Sequence, residues 1–251
     1  MKFLDKLYQR NDITFAIIWI VAYVVIASIT DSASREVGIE KCVTAPALAI
    51  MSIILWAWVS HAGLKREFGL VAPITSATRM LLYLPLIIIA FYRFCFGVTM
   101  NYPVLETVLF IISMLSVGFL EEMIFRGLLF RGMAKSNLTA AIIVSAITFG
   151  AGHIVNVFNA SGQDLPETLV QVAFAIIIGF VLVFVLLKSG SLWPCIIWHG
   201  VYNSLSAFSD EAAQIAVLGS EFNAILLVLG LAIIVGGGYL AYLAKLPSAK
   251  G

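Results

Sequence analysis

The residues best suited to chemistry in this chain are two adjacent carboxylates, Glu121 and Glu122, within the apolar run VLFIISMLSVGFLEEMIFRGLLFRG. Arg126 follows Glu122 by four residues, a spacing that lets the two side chains form an ion pair on one helix face. Glu121 points elsewhere, so we expect it to remain free to accept or donate a proton. A charge at the bilayer centre costs at least ~2.5–3.5 kcal/mol, which favours a functional site. The alternative is a juxtamembrane charge cluster in which Arg126 extends to the interface.

Two histidine-bearing motifs follow in later apolar runs. FGAGHIVN places Phe149 and His153 four residues apart, and SLWPCIIWHGVYNSLSAF places His199 and Asn203 four residues apart. At this spacing both members of each pair lie on one helix face. Taken alone, each His has a structural alternative, either as a packed core residue or as a hydrogen-bonded residue among interfacial aromatic side chains. Their combination with the two carboxylates favours one shared polar site.

A shared site requires the helices to place these residues at a common depth. A helix break at Asn137 would make that residue the N-cap of the helix that carries His153. Glu121 precedes Asn137 by as many residues as His153 follows it. In an antiparallel hairpin both therefore lie ~24 Å from the turn, and His199 lies ~14 Å from its own turn at Gly190. We predict a single cavity in the cytoplasmic half of the membrane.

The composition shows that the chain folds in a membrane. Of its 251 residues, 61% are hydrophobic and 12% are charged, whereas about 25% of the residues of a soluble domain are charged. Several apolar stretches approach the ~20 residues that a helix needs to cross the hydrocarbon core. We predict an all-α, polytopic transmembrane helical bundle of about eight spans, with one membrane domain over 1–251 and a catalytic core over 105–208. The predicted spans are 13–30, 44–62, 78–98, 105–131, 138–158, 166–188, 191–208 and 222–244.

The distribution of charge predicts the topology and excludes some partners. Nearly all Lys and Arg residues outside the spans fall in alternating loops on one side, whereas the other side holds only Arg35 and Lys41. Because cytoplasmic loops are enriched in these residues, we predict an even number of spans with both termini in the cytoplasm. The net charge of +1, without a basic tract, argues against a nucleic-acid partner.

The three motifs together resemble the signature of a known family. EE-x-x-x-R at 121–126, F-x-x-x-H at 149–153 and H-x-x-x-N at 199–203 occur in that order, each in a hydrophobic run. This arrangement resembles the CPBP family, the CAAX prenyl endopeptidases and bacteriocin-processing enzymes also called the Abi family. The resemblance implies an intramembrane endopeptidase. It also leaves open a non-catalytic bacteriocin-immunity or membrane scaffold protein.

Peptide hydrolysis without a Ser, Cys or Thr nucleophile needs an activated water, a group that stabilises the oxyanion and an acid for the leaving amine. We predict that Glu121, assisted by His153, activates the water. His199 and Asn203 are then expected to bind the scissile carbonyl or its oxyanion. The resemblance implies the same roles. The supporting residues are Glu122, Arg126 and Phe149.

The same side chains raise the question of a metal. One Glu and two His form a three-ligand catalytic zinc site when water takes the fourth position, and the ligands here would be Glu121, His153 and His199. The helical HExxH pattern is absent from the sequence. Members of the family that the motifs resemble are described both as metalloproteases and as glutamate-type proteases. The sequence favours the metal-independent mechanism, with zinc as the alternative cofactor.

Transport is the remaining alternative function, since buried Glu, His and Arg residues also serve as proton relays. No internal repeat supports a proton-coupled transporter. The expected partners are membrane lipid and a peptide or lipidated protein substrate, and the expected location is a prokaryotic plasma (inner) membrane. The sequence contains no signal for an oligomeric state.

Overall fold

The protein is an all-helical bundle, as predicted. A computed structural model of the chain describes residues 1–158 and 164–249, and within these ranges it contains ten helices and no strand. The helices are α1 Lys2–Arg10, α2 Asp12–Val37, α3 Thr44–His61, α4 Leu81–Cys95, α5 Val104–Ala134, α6 Leu138–Val157, α7 Leu165–Ser189, α8 Trp193–Ser204, α9 Glu211–Leu218 and α10 Glu221–Lys245.

Six of these helices, α2, α3, α5, α6, α7 and α10, are long and apolar enough to cross a membrane. The predicted spans 78–98 and 191–208 are shorter in the structure. Backbone φ is 52–56° from Leu81 to Tyr83, a left-handed conformation, so the regular part of α4 covers only Leu84–Phe91. The helix α8 has 12 residues and continues as a 3-10 turn over Leu205–Phe208. The count of eight spans and the cytoplasmic location of both termini stay predictions.

One end of the bundle, which we call the basic end, collects the N-terminus, the last described residue Ala249 and three connections. Lys135, in the turn between α5 and α6, bonds Asp12 at the start of α2 (2.9 Å). The backbone N–H of Leu192, just before α8, donates to the carbonyl of Gly69 in the α3–α4 connection (2.7 Å). The Lys and Arg residues near this end are Lys2, Lys6, Arg10, Lys65, Arg66, Arg79, Arg131, Lys135, Lys188 and Lys245.

The other end, which we call the opposite end, is formed by the remaining connections. The backbone N–H of Glu40 donates to the carboxylate of Glu106 at the start of α5 (3.0 Å). The side-chain amide of Asn101 donates to the carbonyl of Ser206 (2.9 Å), which joins the α4–α5 and α8–α9 connections. Both α4 and α8 therefore run from the basic end to the opposite end, although neither has the length of a full membrane span.

The break between α5 and α6 lies at Asn137, as the sequence predicts. The side chain of Asn137 accepts a hydrogen bond from the backbone N–H of Ala140 (2.9 Å), so Asn137 is the N-cap of α6. Gly190 ends α7 with a φ of 73°, a left-handed conformation that glycine adopts without a steric penalty. These two breaks set the directions of the helices that carry the three motifs.

A widened segment interrupts α5 directly after the two adjacent carboxylates. Residues Met123–Phe130 form a π-helix, and all eight are buried. Such segments are rare and frequently occur at functional sites. The regular α-helix predicted through Arg126 therefore changes to π-helical geometry after Glu122.

The helices α5 and α8 approach each other most closely at two glycines. A Cβ atom on Gly118 would lie 2.4 Å from the backbone nitrogen of Gly200 and 2.6 Å from its Cα. No side chain fits at such a distance, so the contact requires glycine. Gly118 precedes Glu121 by less than one helical turn, and Gly200 directly follows His199. The glycine contact therefore brings the first and third motifs together.

Candidate active site

Glu122 is fully buried and joins the first motif to the third. Its Oε1 lies 3.1 Å from Nη1 of Arg126, so the predicted ion pair is present. The same oxygen lies 2.8 Å from Nδ1 of His199, a contact that the sequence analysis did not predict. An ionised carboxylate only accepts hydrogen bonds, so His199 donates to it through Nδ1–H. This bond orients the imidazole and leaves Nε2 facing Glu121.

One carboxylate oxygen of Glu121 accepts a hydrogen bond, and the other has no hydrogen-bond partner among the described residues. The hydroxyl of Tyr23 on α2 donates to Oε1 (2.6 Å), and the side chain of Glu121 is almost buried. Oε2 lies 3.6 Å from Nε2 of His199, which is too long for a hydrogen bond, and it has no other partner among the described residues. Oε2 is therefore the oxygen of Glu121 that is left without a hydrogen-bond partner among the described residues.

Tyr23 was missed by the sequence analysis. It lies in the apolar run of α2, far along the chain from the three motifs, and the chain offers no spacing that connects it to them. The available signal was its hydroxyl, because a buried Tyr O–H usually finds a hydrogen-bond partner. That signal does not identify the partner.

Phe149 lies at the centre of the motif residues. Its ring is in edge contact with the rings of His153 and His199, at centroid distances of 5.7 and 5.6 Å. The guanidinium of Arg126 lies over the same ring at 4.0 Å. The regular α-helix of α6 ends at Gly152 and a 3-10 turn begins at His153, yet the predicted common face of Phe149 and His153 is retained. Phe149 thus fixes the relative positions of both histidines.

The four residues predicted to be catalytic line one cavity of about 480 Å³. A second cavity of about 240 Å³ is bordered by Glu121, His153 and Tyr23. The pair of Glu121 and His153 therefore lies between two cavities, each large enough for water. The four predicted catalytic residues that line the larger of these two cavities are Glu121, His153, His199 and Asn203.

The cavity lies in the half of the bundle next to the opposite end. Its lining includes Glu211 and Glu221, which are exposed at that end. The cavity therefore lies away from the basic end, and the predicted location in the cytoplasmic half stays a prediction. The number of residues from each turn predicts the depth of Glu121 and His199. It does not predict which side of these residues is filled by side chains and which side is a cavity. The buried side chains in the half next to the basic end include the apolar residues Leu182, Leu186 and Leu192.

Two of the side chains proposed as metal ligands each have one atom in a hydrogen bond with the protein and one atom without. Nδ1 of His199 bonds Glu122, and Oε1 of Glu121 accepts from Tyr23. Among the described residues, no group of three His, Cys, Asp or Glu side chains is placed to hold one metal ion. Glu121, His153 and His199 do not form a ready ligand set in this arrangement. The zinc alternative stays a prediction for experiment.

The fold and the site define an integral membrane helical bundle with a buried carboxylate–histidine cluster. Residues 103–205 match the family model described as Rce1-like, type II CAAX prenyl endopeptidase Rce1-like. This match confirms the family resemblance predicted from the three motifs and contains all of the predicted site residues, although it spans less than half of the chain. The family is a protease family, which supports endopeptidase activity. The comparison with curated proteins finds no match.

Replacement of Tyr23 by Phe is expected to lower kcat about 10-fold without changing KM. The substitution removes the hydrogen bond to Glu121 and keeps the ring, and a hydrogen bond to a charged group contributes ~1.5–3 kcal/mol. Steady-state kinetics with a cleaved peptide measure both constants. The matched control is Tyr239→Phe, which removes a buried hydrogen bond to the Met80 carbonyl (2.9 Å) near the basic end. An equal loss in both variants would contradict a specific role for Tyr23.

Proposed function

We propose that the chain is an intramembrane endopeptidase that hydrolyses a peptide bond of a membrane-associated or lipidated peptide or protein. The observation that supports this most strongly is the buried cluster of Glu121, Glu122 and His199, in which Glu121 lines a cavity and one of its carboxylate oxygens has no hydrogen-bond partner among the described residues. A prokaryotic plasma membrane is its proposed location. Because Glu121 and His153 line both cavities, we assign the activation of water to this pair.

In the first step, Oε2 of Glu121 accepts a proton from water, and the water oxygen attacks the scissile carbonyl carbon. Tyr23 holds the other oxygen of Glu121, so the carboxylate has one orientation during this transfer. His153 makes the second contact to the water. A tetrahedral oxyanion then develops on the former carbonyl oxygen.

Asn203 and His199 stabilise this oxyanion. The side-chain amide of Asn203 is a donor in the cavity wall, and His199 donates through Nε2 when it is doubly protonated. The carboxylate of Glu122 balances the positive charge on that imidazole, and Arg126 in turn balances Glu122. When the C–N bond breaks, Glu121 returns its proton to the leaving amine.

The test is direct cleavage by purified protein in detergent. The substrates are a peptide library, lipidated peptides with a C-terminal CAAX sequence and leader peptides of bacteriocin type, with products identified by mass spectrometry. We expect the wild-type protein to cleave at least one class and the Glu121→Ala/His153→Ala protein to cleave none. Equal processing by both proteins would contradict the proposed site. The immunity or scaffold alternative predicts that neither protein cleaves.

Removal of metal is expected to leave the activity unchanged. Protein treated exhaustively with chelator, with its residual zinc measured by mass spectrometry, should retain the wild-type rate, because a general base and two oxyanion donors suffice for the proposed steps. A rate that falls with zinc content and returns when zinc alone is added would replace the glutamate mechanism by a metal-dependent one. Glu121→Ala protein treated in parallel provides the background rate.

A further inference from the structure

We propose that the smaller cavity beside Glu121 is a water-binding site that supplies the nucleophile while the larger cavity holds the peptide. The inference rests on the proposed peptidase function and assigns each reactant to a cavity of its own. The two cavities have volumes of about 240 and 480 Å³. Pockets that bind ligands typically have volumes of ~300–1,000 Å³, so only the larger cavity has the size of a peptide site.

The four predicted catalytic residues are distributed over the two cavities according to their proposed roles. Glu121 and His153, which act on the water, line both cavities. His199 and Asn203, which bind the oxyanion, line the larger cavity, and the described residues that line the smaller cavity include neither of them. The scissile carbonyl oxygen therefore belongs in the larger cavity. A water in the smaller cavity reaches Glu121 and His153 from a space that the bound peptide leaves free.

The smaller cavity has polar groups at both of its ends. Next to the opposite end of the bundle, Nζ of Lys41 and Oγ1 of Thr44 both donate to Oδ1 of Asp31 (2.9 and 2.6 Å). The side chains of Lys41 and Asp31 are partly exposed, so this part of the wall adjoins the surface. At the inner end, the hydroxyl of Tyr23 donates to Glu121. All five residues line the cavity, and such groups provide the two to four polar partners that a bound water needs.

Ser113 on α5 is an independent indication of bound water. Its side chain is 0% exposed and lines the smaller cavity. Its Oγ has no hydrogen-bond partner within the part of the chain that the structure describes. The large majority of buried side-chain polar atoms have a partner, and an ordered water supplies it where the protein does not. We therefore assign a water to this hydroxyl.

Part of the wall of the larger cavity is apolar and aromatic. The rings of Trp198 and Tyr202 are stacked at 5.1 Å, and those of Tyr202 and Phe174 at 5.6 Å. Ile225 and Val228 on α10 also line this cavity. Such a surface suits an apolar peptide segment, since aromatic rings offer a large contact area. The chemistry of the two walls thus agrees with the proposed division between peptide and water.

Water in the smaller cavity is tested by modification of introduced thiols. Ser113→Cys and Ser145→Cys proteins in detergent are treated with 2-aminoethyl methanethiosulfonate, and peptide mass spectrometry follows each position separately from the native cysteines. A thiol reacts as its thiolate, which forms more readily in contact with water than among apolar side chains. We expect Ser113→Cys to react about 10-fold faster, because Ser145 is also 0% exposed but lines neither cavity. Equal rates would overturn the inference.

The assignment of the peptide to the larger cavity is tested in Glu121→Gln protein, which is expected to bind a peptide without cleaving it. A peptide that the wild-type protein cleaves, added at about ten times its Kd, should slow the modification of Val228→Cys about 10-fold. Val228 lines the larger cavity only, so the same peptide should leave the rate at Ser113→Cys unchanged.

Equal protection of both positions would show that the peptide fills both cavities, which overturns the inference and leaves the peptidase function intact. Protection of neither position would likewise overturn the inference alone. The absence of any peptide that the wild-type protein cleaves would overturn the proposed function, and the inference with it.

Filling the smaller cavity is expected to lower kcat about 10-fold and to leave KM unchanged, because the water loses its site while the peptide keeps its own. Ala27 on α2 lines this cavity, so Ala27→Phe places a ring where the water binds. The matched control is Ala22→Phe, at a partly buried position of the same helix that lines neither cavity. Steady-state kinetics measure both constants, and thermal denaturation shows whether each variant is folded. An unchanged kcat in folded Ala27→Phe protein, or an equal loss in the control, would overturn the inference.

Discussion

Replacement of Glu121 by Gln is expected to lower kcat about 1,000-fold while the protein stays folded, within the ~10²–10⁴-fold contribution of a general base. The amide keeps the size of the side chain and an oxygen that accepts from Tyr23, but it does not take up a proton from water. His153→Ala should lower kcat about 100-fold, since the water keeps its base and loses its second contact. Steady-state kinetics and thermal denaturation in detergent measure the two effects separately.

The matched control for this series is Glu36→Gln, which neutralises an exposed carboxylate on α2 away from the catalytic cavity. It should retain the wild-type kcat. If Glu121→Gln kept more than about a tenth of the wild-type kcat, the general base would have to be another group. Glu122 would be the next candidate, although both of its contacts already use the same oxygen.

Replacement of Arg126 by Met is expected to destabilise the fold by ~3–5 kcal/mol, because it leaves Glu122 buried without its counter-charge. Both side chains are 0% exposed, so water does not replace the lost partner. Met fills much of the volume over the Phe149 ring and limits the contribution of a cavity to the result. The free energy of unfolding is measured by SDS titration of the protein in mixed micelles.

The double variant Glu122→Gln/Arg126→Met distinguishes the effect of the unpaired buried charge on stability from the effect of lost packing. Without the buried charge it should regain most of the lost stability, since replacing both members of a buried ion pair is often neutral. Its activity should stay low, because Nδ1 of His199 would face an amide in place of a carboxylate. A double variant as unstable as Arg126→Met alone would show that packing, and not the ion pair, dominates at this position.

The features that could be predicted from the sequence are those set by residues close together in the chain. The N-cap at Asn137 and the pair of Glu122 and Arg126 each depend on a few neighbouring positions, and both are present in the structure. Hydropathy also located the helices, but it extended the third and seventh spans into residues that adopt left-handed or 3-10 backbone. Apolar composition alone does not report backbone conformation.

The features that could not be predicted depend on packing between distant segments. Tyr23 meets Glu121 across 98 positions, and His199 meets Glu122 across 77. The glycine contact that joins α5 to α8 is visible only once the helix pairing is known. The side on which the cavity opens depends on which half of the core is filled, and this is a property of the whole bundle.

The apolar packing between Glu121 and the basic end also limits the leakage of protons through the membrane. A water-filled cavity that reached both faces would conduct protons and dissipate the transmembrane potential, worth ~2.3 kcal/mol per elementary charge at 100 mV. The fully buried apolar side chains of Ile124, Leu182 and Leu186 lie between Glu121 and that face. The cavity can thus hold the water that the proposed hydrolysis requires and still leave the bilayer insulating.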